Sequence, residues 1–363
     1  MSADSNGGTA GRTGSDLTGR PDRTIRGPLE HLRVIDVSEH LSGQYASRLL
    51  AAMGAQVTLI EPAGGSRIRR LHPRDERTGE SYVFEVLSRG KHVASVVDEA
   101  QWAGQVRDAN LVISGLSQVI PDHWLRDGAH IGGVVSDFGA HGPRAAWRGS
   151  EMIHQALGGA MYVTGEKDRE PLYGCSYRSY FSTGVALFSG LLAALQVLDE
   201  SGTPVPQTVE VTVAETAASM AQNGATQYNY NGSWQGRGEY PGLMERVKCA
   251  DGWVVIFALR HWPEFCAAFG LPELAADPRF ATPGSREENW AEALAAFRSV
   301  AAESRAAELV EPAQARKACV EQMNALADAL ESQHFGAREL FRRDGNVLGL
   351  GPAWRLSATS LWR

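Results

Sequence analysis

Two groups of polar residues in this sequence have types and spacings that suit chemistry. Arg67, Arg69 and Arg70 fall within four residues, and guanidinium groups at this density suit contacts to phosphate oxygens. Glu151 and His154 stand three residues apart, so they share a face if the segment is helical, and could then act as an acid/base pair. Each group also has a structural interpretation. The arginines could form a solvated cationic loop, and the pair could be a helix cap or ion-pair partner beside a packing histidine.

Several motifs that would identify other chemistry are absent. The first strand-to-helix turn, residues 38–44, holds a single glycine and does not match GxGxxG, so a dinucleotide site loses its main support. No GxxxxGK[ST], GxSxG or HExxH sequence occurs. The four cysteines are far apart and lack metal-ligand spacing, which predicts free thiols, no metal site and a reducing, cytoplasmic setting.

Composition narrows the class of protein further. The chain has 363 residues, 43% hydrophobic and 21% charged, which are globular proportions and a length for about two domains. A formal net charge of −7 argues against a dedicated nucleic-acid binder. The longest apolar stretch, residues 184–198, is short for a membrane span and is interrupted by Ser189 and Gln196, which predicts a buried helix. We therefore expect neither nucleic acid nor a membrane as a partner.

The elements that must position these residues begin after residue 27. Residues 1–27 contain no apolar run, which predicts a disordered tail and no secretion signal. A buried strand at 32–38, a helix at 41–53 and a second strand at 55–61 form a βαβ unit, which requires a parallel sheet with a right-handed crossover. Further strands are predicted at 110–114, 132–136, 207–213 and 253–258, and further helices at 184–198, 262–269 and 287–307. The pattern changes near residue 217, which indicates a linker.

An ordered series of short segments carries a resemblance to a known protein family. The N-terminal part of the resemblance consists of GPL (27–29), RVID (33–36), LAAMGAQV (50–57), IEPAGGS (60–66) and RGKH (89–92). It continues with DFGAHGP (137–143), GSEMIHQA (149–156), DGWVV (251–255) and ADPRF (276–280). No single segment is specific, but their order is. The ordered set resembles the family III CoA-transferases, the group of formyl-CoA transferase, carnitine CoA-transferase and α-methylacyl-CoA racemase, and the resemblance covers roughly residues 27–357.

The resemblance implies an α/β fold, in which a Rossmann-like large domain with a parallel sheet carries an inserted, smaller α+β domain. The expected division is a tail at 1–27, the first part of the large domain at 28–216, the small domain at 217–330 and a return to the large domain at 331–363. An interlocked homodimer is expected, with a heterodimer as the alternative. Coenzyme A or acyl-CoA is the expected substrate, with no tightly bound cofactor.

The family also implies a mechanism that this sequence cannot follow unchanged. In its transferases an aspartate attacks the acyl-CoA thioester, and in its racemases an aspartate and a histidine exchange the α-proton. The aspartate stands four residues before the glycine of a D-x-x-x-G pattern. That glycine is Gly184 here, the aspartate position is Tyr180, and residues 176–183 contain no carboxylate. The racemase histidine falls at Ser150. A phenol with a pKa near ~10 supplies little phenolate at neutral pH, so Tyr180 is a poor nucleophile.

Tyr180, Glu151 and His154 are therefore the candidate catalytic residues, with Tyr180 as an acid, a base or a hydrogen-bond donor to the thioester oxygen. The resemblance supplies the candidate CoA contacts His40, Leu41, Ala63, Arg67, Lys91 and Ser114. The expected function is acyl-CoA handling, by CoA transfer or by isomerisation or dehydration of a CoA thioester. Two alternatives remain open: a catalytically silent subunit that pairs with an aspartate-bearing paralogue, and a scaffold that binds a different ligand.

Overall fold

The computed structural model describes residues 27–95, 99–116, 131–174, 176–238, 243–344, 347–351 and 354–357. The predicted tail lies outside the described residues except for Gly27, which is buried against the turn at Met53 and Gly54 and so belongs to the folded chain.

Contacts divide the chain into two units. The first takes the residues up to Thr164, Leu172–Trp234 and those from Arg342 onward, and the second takes Gly165–Pro171 and Gln235–Phe341.

A six-stranded parallel sheet forms the centre of the first unit, which confirms the predicted α/β class and the parallel βαβ unit. Its strands are β1 (Arg33–Asp36), β2 (Gln56–Glu61), β3 (His92–Ser95), β4 (Leu111–Gly115), β5 (Ile131–Ser136) and β6 (Gln207–Thr212). The order is β3-β2-β1-β4-β5-β6. The direction of winding reverses between β1 and β4, and doubly wound sheets bind ligands at the carboxyl ends of the strands near this reversal.

Helices flank these strands. They are α1 (Leu41–Ala52), α2 (Tyr82–Ser88), α3 (Glu99–Arg107), α4 (Glu151–Leu157), α5 (Ala160–Val163), α6 (Arg178–Leu195), α7 (Val213–Ser219) and α8 (Gln222–Asn231). Helix α6 begins at Arg178 rather than at the predicted Gly184, so Tyr180 lies in its first turn. Helices α7 and α8 occupy residues for which a linker was predicted. The side chain of Ala217 is buried in α7, where its backbone lies close to Gly158, so this stretch belongs to the first unit.

Helices α1 and α6 cross at a point where no side chain fits. A Cβ atom on Gly184 would lie 2.8 Å from the carbonyl oxygen of Ser42 and 2.9 Å from the ring of Tyr45. The core below this crossing contains fully buried residues of both helices and of β4: Leu50, Leu111, Ile113, Leu187 and Leu191. The glycine that opens the predicted apolar helix therefore has a packing reason, because it lets two helices approach closely.

The second unit is built on a three-stranded antiparallel sheet in the order β7-β8-β9. Its elements are β7 (Met244–Cys249), β8 (Gly252–Phe257), α9 (Trp262–Ala268), α10 (Pro272–Ala276), α11 (Pro283–Glu288), α12 (Trp290–Glu303), α13 (Ala306–Ala315), β9 (Cys319–Gln322), α14 (Leu326–Glu331) and α15 (Gln333–Ala337). Phe265, Phe280 and Phe297 are fully buried around Trp262. The contacts place this unit at residues 235–341 and 165–171, whereas the sequence analysis placed the small domain at 217–330.

The C-terminal part of the described chain ends in a two-stranded sheet of β10 (Phe341–Asp344) and β11 (Val347–Leu350). Across the described ranges, no helix has both the length and the apolar character that a membrane crossing requires.

Candidate active site

A cleft of about 250 Å³ opens in the first unit where several parallel strands end. His40 follows β1, Arg67 follows β2 and Asp137 follows β5. Strands β1 and β2 are neighbours, and β4 separates β1 from β5. Residues of the segment before α4 complete the wall, among them Trp147 and Arg148. The cleft thus lies at the carboxyl edge of the sheet, on the side where the winding reverses.

Asp137 is the polar centre of this cleft. Its Oδ2 accepts a hydrogen bond from the backbone N–H of Gly149 at 3.0 Å. Its Oδ1 lies 3.0 Å from Nε2 of His154 and 3.6 Å from Nε2 of His40. Burial raises the pKa of Asp137, but the two imidazoles and the Gly149 N–H outweigh burial and hold the pKa well below its usual range. Asp137 is therefore a carboxylate anion, and 26% of its side chain is exposed.

His40 precedes α1 and caps its N-terminus. The backbone N–H of Ser42 donates to Nδ1 of His40 at 3.3 Å, so Nδ1 is unprotonated and the ring proton lies on Nε2, which points toward Asp137. This buried residue is a non-standard N-cap, because the position usually carries Ser, Thr, Asp or Asn. The cap therefore fixes both the position and the tautomer of the imidazole.

His154 lies on α4 and is completely buried. Gly149 makes room for it, since a Cβ atom there would lie 2.1 Å from Nε2 of His154. Among the described residues, Nδ1 of His154 has no hydrogen-bond partner. The described part of the chain also contains no group of three or more His, Cys, Asp or Glu side chains able to hold a metal ion. His154 thus acts on the cleft through Asp137.

Tyr180 stands between the two histidines. Its ring centroid lies 5.3 Å from that of His40 and 5.8 Å from that of His154, and both contacts are edge-to-face. Burial, with the carboxylates of Asp137 and Glu151, raises the pKa of Tyr180 far above its ordinary value, and Arg67 opposes the shift only in part. The phenol therefore stays protonated at neutral pH and can donate a hydrogen bond.

Glu151 is buried, and both of its carboxylate oxygens are engaged. Oε1 accepts the N–H of Ser179 at 2.8 Å and the side-chain amide of Gln155 at 2.7 Å, while Oε2 accepts the N–H of Tyr180 at 3.3 Å. The backbone N–H groups of Ser179 and Tyr180 belong to the first turn of α6, where backbone N–H groups have no intrahelical partner. Glu151 thus has the contacts of a helix cap supplied by a different helix, the structural interpretation left open by the sequence.

The residues expected to contact CoA fall into different environments. His40 and Arg67 line the cleft, and Nε of Arg67 donates to the carbonyl oxygen of Glu39 at 2.9 Å. Ala63 is exposed in the turn after β2, whereas Leu41 and Ser114 are buried. Arg69, the middle residue of the arginine cluster, makes two hydrogen bonds of 2.7 Å to the carboxylate of Glu61.

Lys91 does not reach the cleft. Its side chain is fully buried, with Nζ 2.7 Å from the carbonyl oxygen of Gln44 and 3.4 Å from Oδ2 of Asp36. Burial lowers the pKa of Lys91 to about 8, with Asp36 opposing this shift and Arg48 adding to it. The lysine expected to contact CoA is therefore a core ion-pair partner in this structure.

Asp137 and Arg148 were not selected from the sequence. In the sequence, Asp137 stands out only as part of a glycine-rich segment, and Arg148 belongs to no recognisable motif. A usable signal existed for Asp137, because it comes directly after a predicted strand of a parallel sheet, where functional side chains collect. No comparable pattern singles out Arg148, which lies in an irregular segment.

Comparison with known proteins supports the resemblance. The family model described as CoA-transferase family III matches residues 29–106 and 131–361. The chain is 30% identical over 291 residues to succinyl-CoA:mesaconate CoA-transferase of Haloarcula hispanica, with 72% of each chain covered. It is 29% identical over 297 residues to succinyl-CoA–D-citramalate CoA-transferase of Chloroflexus aurantiacus, covering 75% of this chain and 71% of that protein.

A solved structure has the same fold. The crystal structure of a CAIB/BAIF family protein from Brucella suis matches with a TM-score of 0.82 and 22% identity, covering 93% of this chain and 94% of that one. The family model matches most of the chain and the relatives agree with it, so the chain belongs to CoA-transferase family III.

Proposed function

We propose that this chain handles an acyl-CoA thioester in the cleft around Asp137, and that the reaction is CoA transfer. One observation carries the proposal: an ionised, partly exposed carboxylate lies beside Tyr180, the residue at the family's aspartate position. The relatives named above are CoA-transferases, which supports the same reaction class here. Coenzyme A enters as a substrate, and no tightly bound cofactor is part of the proposal.

Asp137 is proposed as the nucleophile. An oxygen of its carboxylate attacks the thioester carbonyl carbon, the carbon–sulfur bond breaks, and CoA leaves as a thiolate, which gives a mixed anhydride with the enzyme. The thiolate then attacks the Asp137 carbonyl, releases the first acid and forms an enzyme–CoA thioester. A second carboxylate repeats the two steps in reverse and departs as its CoA thioester. Each bond broken is matched by one formed, so no oxidant or reductant is needed.

Tyr180 and Arg67 are proposed to stabilise the charge that develops on the thioester oxygen. A protonated phenol donates a hydrogen bond without a proton-transfer step, and the raised pKa of Tyr180 keeps it in that form. Arg67 is close enough to Tyr180 to affect its pKa. Both groups remain fixed during the reaction, so they act through electrostatic stabilisation.

His154, His40 and Glu151 are proposed as positioning residues. The two imidazoles hold the Asp137 carboxylate from one side, and the Gly149 N–H holds it from another. Glu151 caps the helix turn that carries Tyr180. The cation proposed to meet the CoA phosphates is Arg148, which also lines the cleft. Ala63, exposed in the turn after β2, is a further proposed CoA contact.

A homodimer is part of the proposal. Apolar side chains on and near α4 and α5 are exposed in the single chain, and patches of this kind mark protein interfaces. They include Met152, Ile153, Leu157, Tyr162 and Val163, each at least 40% exposed. A silent subunit in a heterodimer is the competing reading, since residues 176–183 contain no carboxylate.

The test combines binding, turnover and trapping with the full-length protein. Calorimetry should show CoA binding, and an acyl-CoA with a free acceptor acid should give a new CoA ester. Hydroxylamine should convert the trapped intermediate to a hydroxamate on the peptide that contains Asp137, detected by mass spectrometry. Asp137→Asn should abolish the adduct, whereas Asp168→Asn, at an exposed position outside the cleft, should not.

Three results separate the alternatives. An adduct on another carboxylate would move the nucleophile but keep the reaction. Turnover without any adduct, lost in Tyr180→Phe, would favour isomerisation or dehydration through the phenol. CoA binding without turnover, with turnover restored by an aspartate-bearing paralogue, would establish the silent subunit. Absence of CoA binding at millimolar concentration would refute CoA transfer, thioester isomerisation or dehydration, and the silent subunit alike, and would leave a scaffold for a different ligand.

A further inference from the structure

The second unit contains a cavity of about 620 Å³ that the proposed reaction does not use. Its lining combines cations, an indole and small apolar groups: Arg246, Lys248, Cys249, Trp253, Arg298 and Ala302. This volume falls within the ~300–1,000 Å³ of small-molecule sites. The cavity therefore has the size of a ligand site and an unusual concentration of positive charge.

The antiparallel sheet brings the key residues together. Lys248 on β7 and Trp253 on β8 are direct cross-strand partners, so their side chains leave the same face of the sheet. Arg246 stands two residues before Lys248 and shares that face. Trp253 is 46% exposed, although an indole of this size is usually more deeply buried. An aromatic surface thus lies beside two cations on one rigid hairpin.

The charges around the cavity leave it positive. Arg246 forms ion pairs with Glu166 and Glu245, and Arg298 lies 3.5 Å from Glu245. No carboxylate among the described residues lies within ion-pair distance of Lys248. The described lining of the cavity thus contains three cationic side chains and no carboxylate. Exposed ion pairs contribute about 0–1 kcal/mol, so an incoming phosphate can displace a carboxylate at little cost.

Cys249 also lines the cavity and adds no negative charge to it. Cys249 is buried, and burial, with a smaller effect of Asp251, raises the pKa of its thiol, which keeps it neutral. Asp251 accepts hydrogen bonds from Ala306 and Arg305 and is not part of the lining. Neither Cys249 nor Asp251 therefore neutralises the positive charge of the cavity.

We propose that this cavity binds a nucleoside phosphate, with the base stacked on Trp253 and the phosphates on Lys248, Arg246 and Arg298. Every nucleobase has a π-face that stacks on an indole, and arginine and lysine bind phosphate oxygens. Two sources have this chemistry: a free nucleotide that acts as an effector, and the nucleotide end of a second CoA molecule, distinct from the one proposed to react in the cleft of the first unit.

The experiment measures ATP binding to the full-length protein by calorimetry at low and high salt. Lys248→Gln and Trp253→Leu should each weaken binding about tenfold, and high salt should weaken it further. Trp253→Phe keeps an aromatic face and should bind within about threefold of the native protein. Arg260→Gln removes an exposed charge from the same unit outside the cavity and should bind ATP unchanged.

The source of the ligand follows from competition. If CoA displaces ATP and Asp137→Asn does not alter the ATP affinity, the cavity takes the nucleotide end of CoA; if CoA does not displace ATP, the ligand is a free nucleotide. Both results support the site, and neither depends on the proposed reaction. The site is refuted if ATP shows no saturable binding at millimolar concentration, or if Lys248→Gln and Trp253→Leu bind ATP as Arg260→Gln does.

Discussion

Oδ1 of Asp137 lies 3.0 Å from Nε2 of His154, and this contact joins the end of a strand to the middle of a helix. The carboxylate is held on one side by imidazoles and on the other by the Gly149 N–H. A family member without the D-x-x-x-G aspartate thus still has a carboxylate beside the same helix turn. It reaches that position from β5 instead of from α6.

Tyr180→Phe tests the role of the phenol as a donor. Loss of one donor to a developing oxyanion lowers kcat by about 10²–10³-fold, so a reduction in this range is expected in acyl-CoA turnover. Because the pKa of Tyr180 is raised, native activity should show no loss from phenol ionisation up to pH ~10, the ordinary pKa of tyrosine. Unchanged kinetics in Tyr180→Phe would contradict the donor role. So would a fall in the activity of the native protein at a pH below ~10 that is missing from the pH profile of Tyr180→Phe, because the phenol would then ionise in that range.

Glu151→Ala and Glu151→Gln separate capping from acid/base catalysis. Alanine removes the acceptor of two helix N–H groups and should lower the free energy of unfolding by about 1–2 kcal/mol, while glutamine keeps one acceptor oxygen and should cost less. If Glu151 is a positioning residue, Glu151→Gln should retain the native turnover rate within about tenfold. If Glu151 is a general acid or base, the turnover rate should fall by about 10²–10⁴-fold. Denaturant titration and steady-state kinetics decide between the two.

Gly184→Ala tests the helix crossing. The new Cβ would meet a backbone carbonyl at 2.8 Å, which cannot move aside alone, so α1 and α6 must separate. Overpacking of this kind costs about 1–3 kcal/mol of unfolding free energy. Gly104→Ala is the matched control, because nothing lies within 4 Å of a Cβ there. It should be neutral or add up to about 1 kcal/mol through helix propensity, and equal effects of the two substitutions would contradict the packing role.

Lys91 predicts a specific dependence of stability on pH. Its pKa is about 8 in the folded chain and near 10.5 when unfolded, so between these values the unfolded state binds more protons. The contribution of Lys91 to the unfolding free energy therefore rises with pH from about 8 to about 10.5. Denaturant titrations across this window should give a steeper rise for the native protein than for Lys91→Met. Parallel curves would show that the amine does not titrate there.

The sequence was sufficient for the parallel sheet, because β-branched runs separated by an amphipathic helix leave little choice of topology. It misplaced the start of α6, since Arg178–Thr183 lacks an apolar stripe and is helical partly because Glu151 caps it from another element. Helix α7 was missed for a similar reason. Its burial against the first unit comes from tertiary contacts, which local patterns do not show.

Within the site, the pairing of Asp137 with His154 and His40 depends on three segments that are distant in sequence. No spacing rule could identify it. Lys91 shows a second limit, because the sequence does not indicate whether a lysine side chain is buried. The resemblance predicts that Lys91 contacts CoA, yet its amine is buried, 2.7 Å from the carbonyl oxygen of Gln44 and 3.4 Å from the Asp36 carboxylate.

Glu151 has a mechanical consequence as well. Its carboxylate accepts hydrogen bonds from the first turn of α6, so it links the helix that carries His154 to the helix that carries Tyr180. Gln155, on the same helix as His154, adds hydrogen bonds to the backbone N–H and carbonyl oxygen of Gly174. His154 and Tyr180 are thus joined through hydrogen bonds between the elements that carry them as well as through ring contact. Trp147 and Arg148, by contrast, line the cleft from irregular chain.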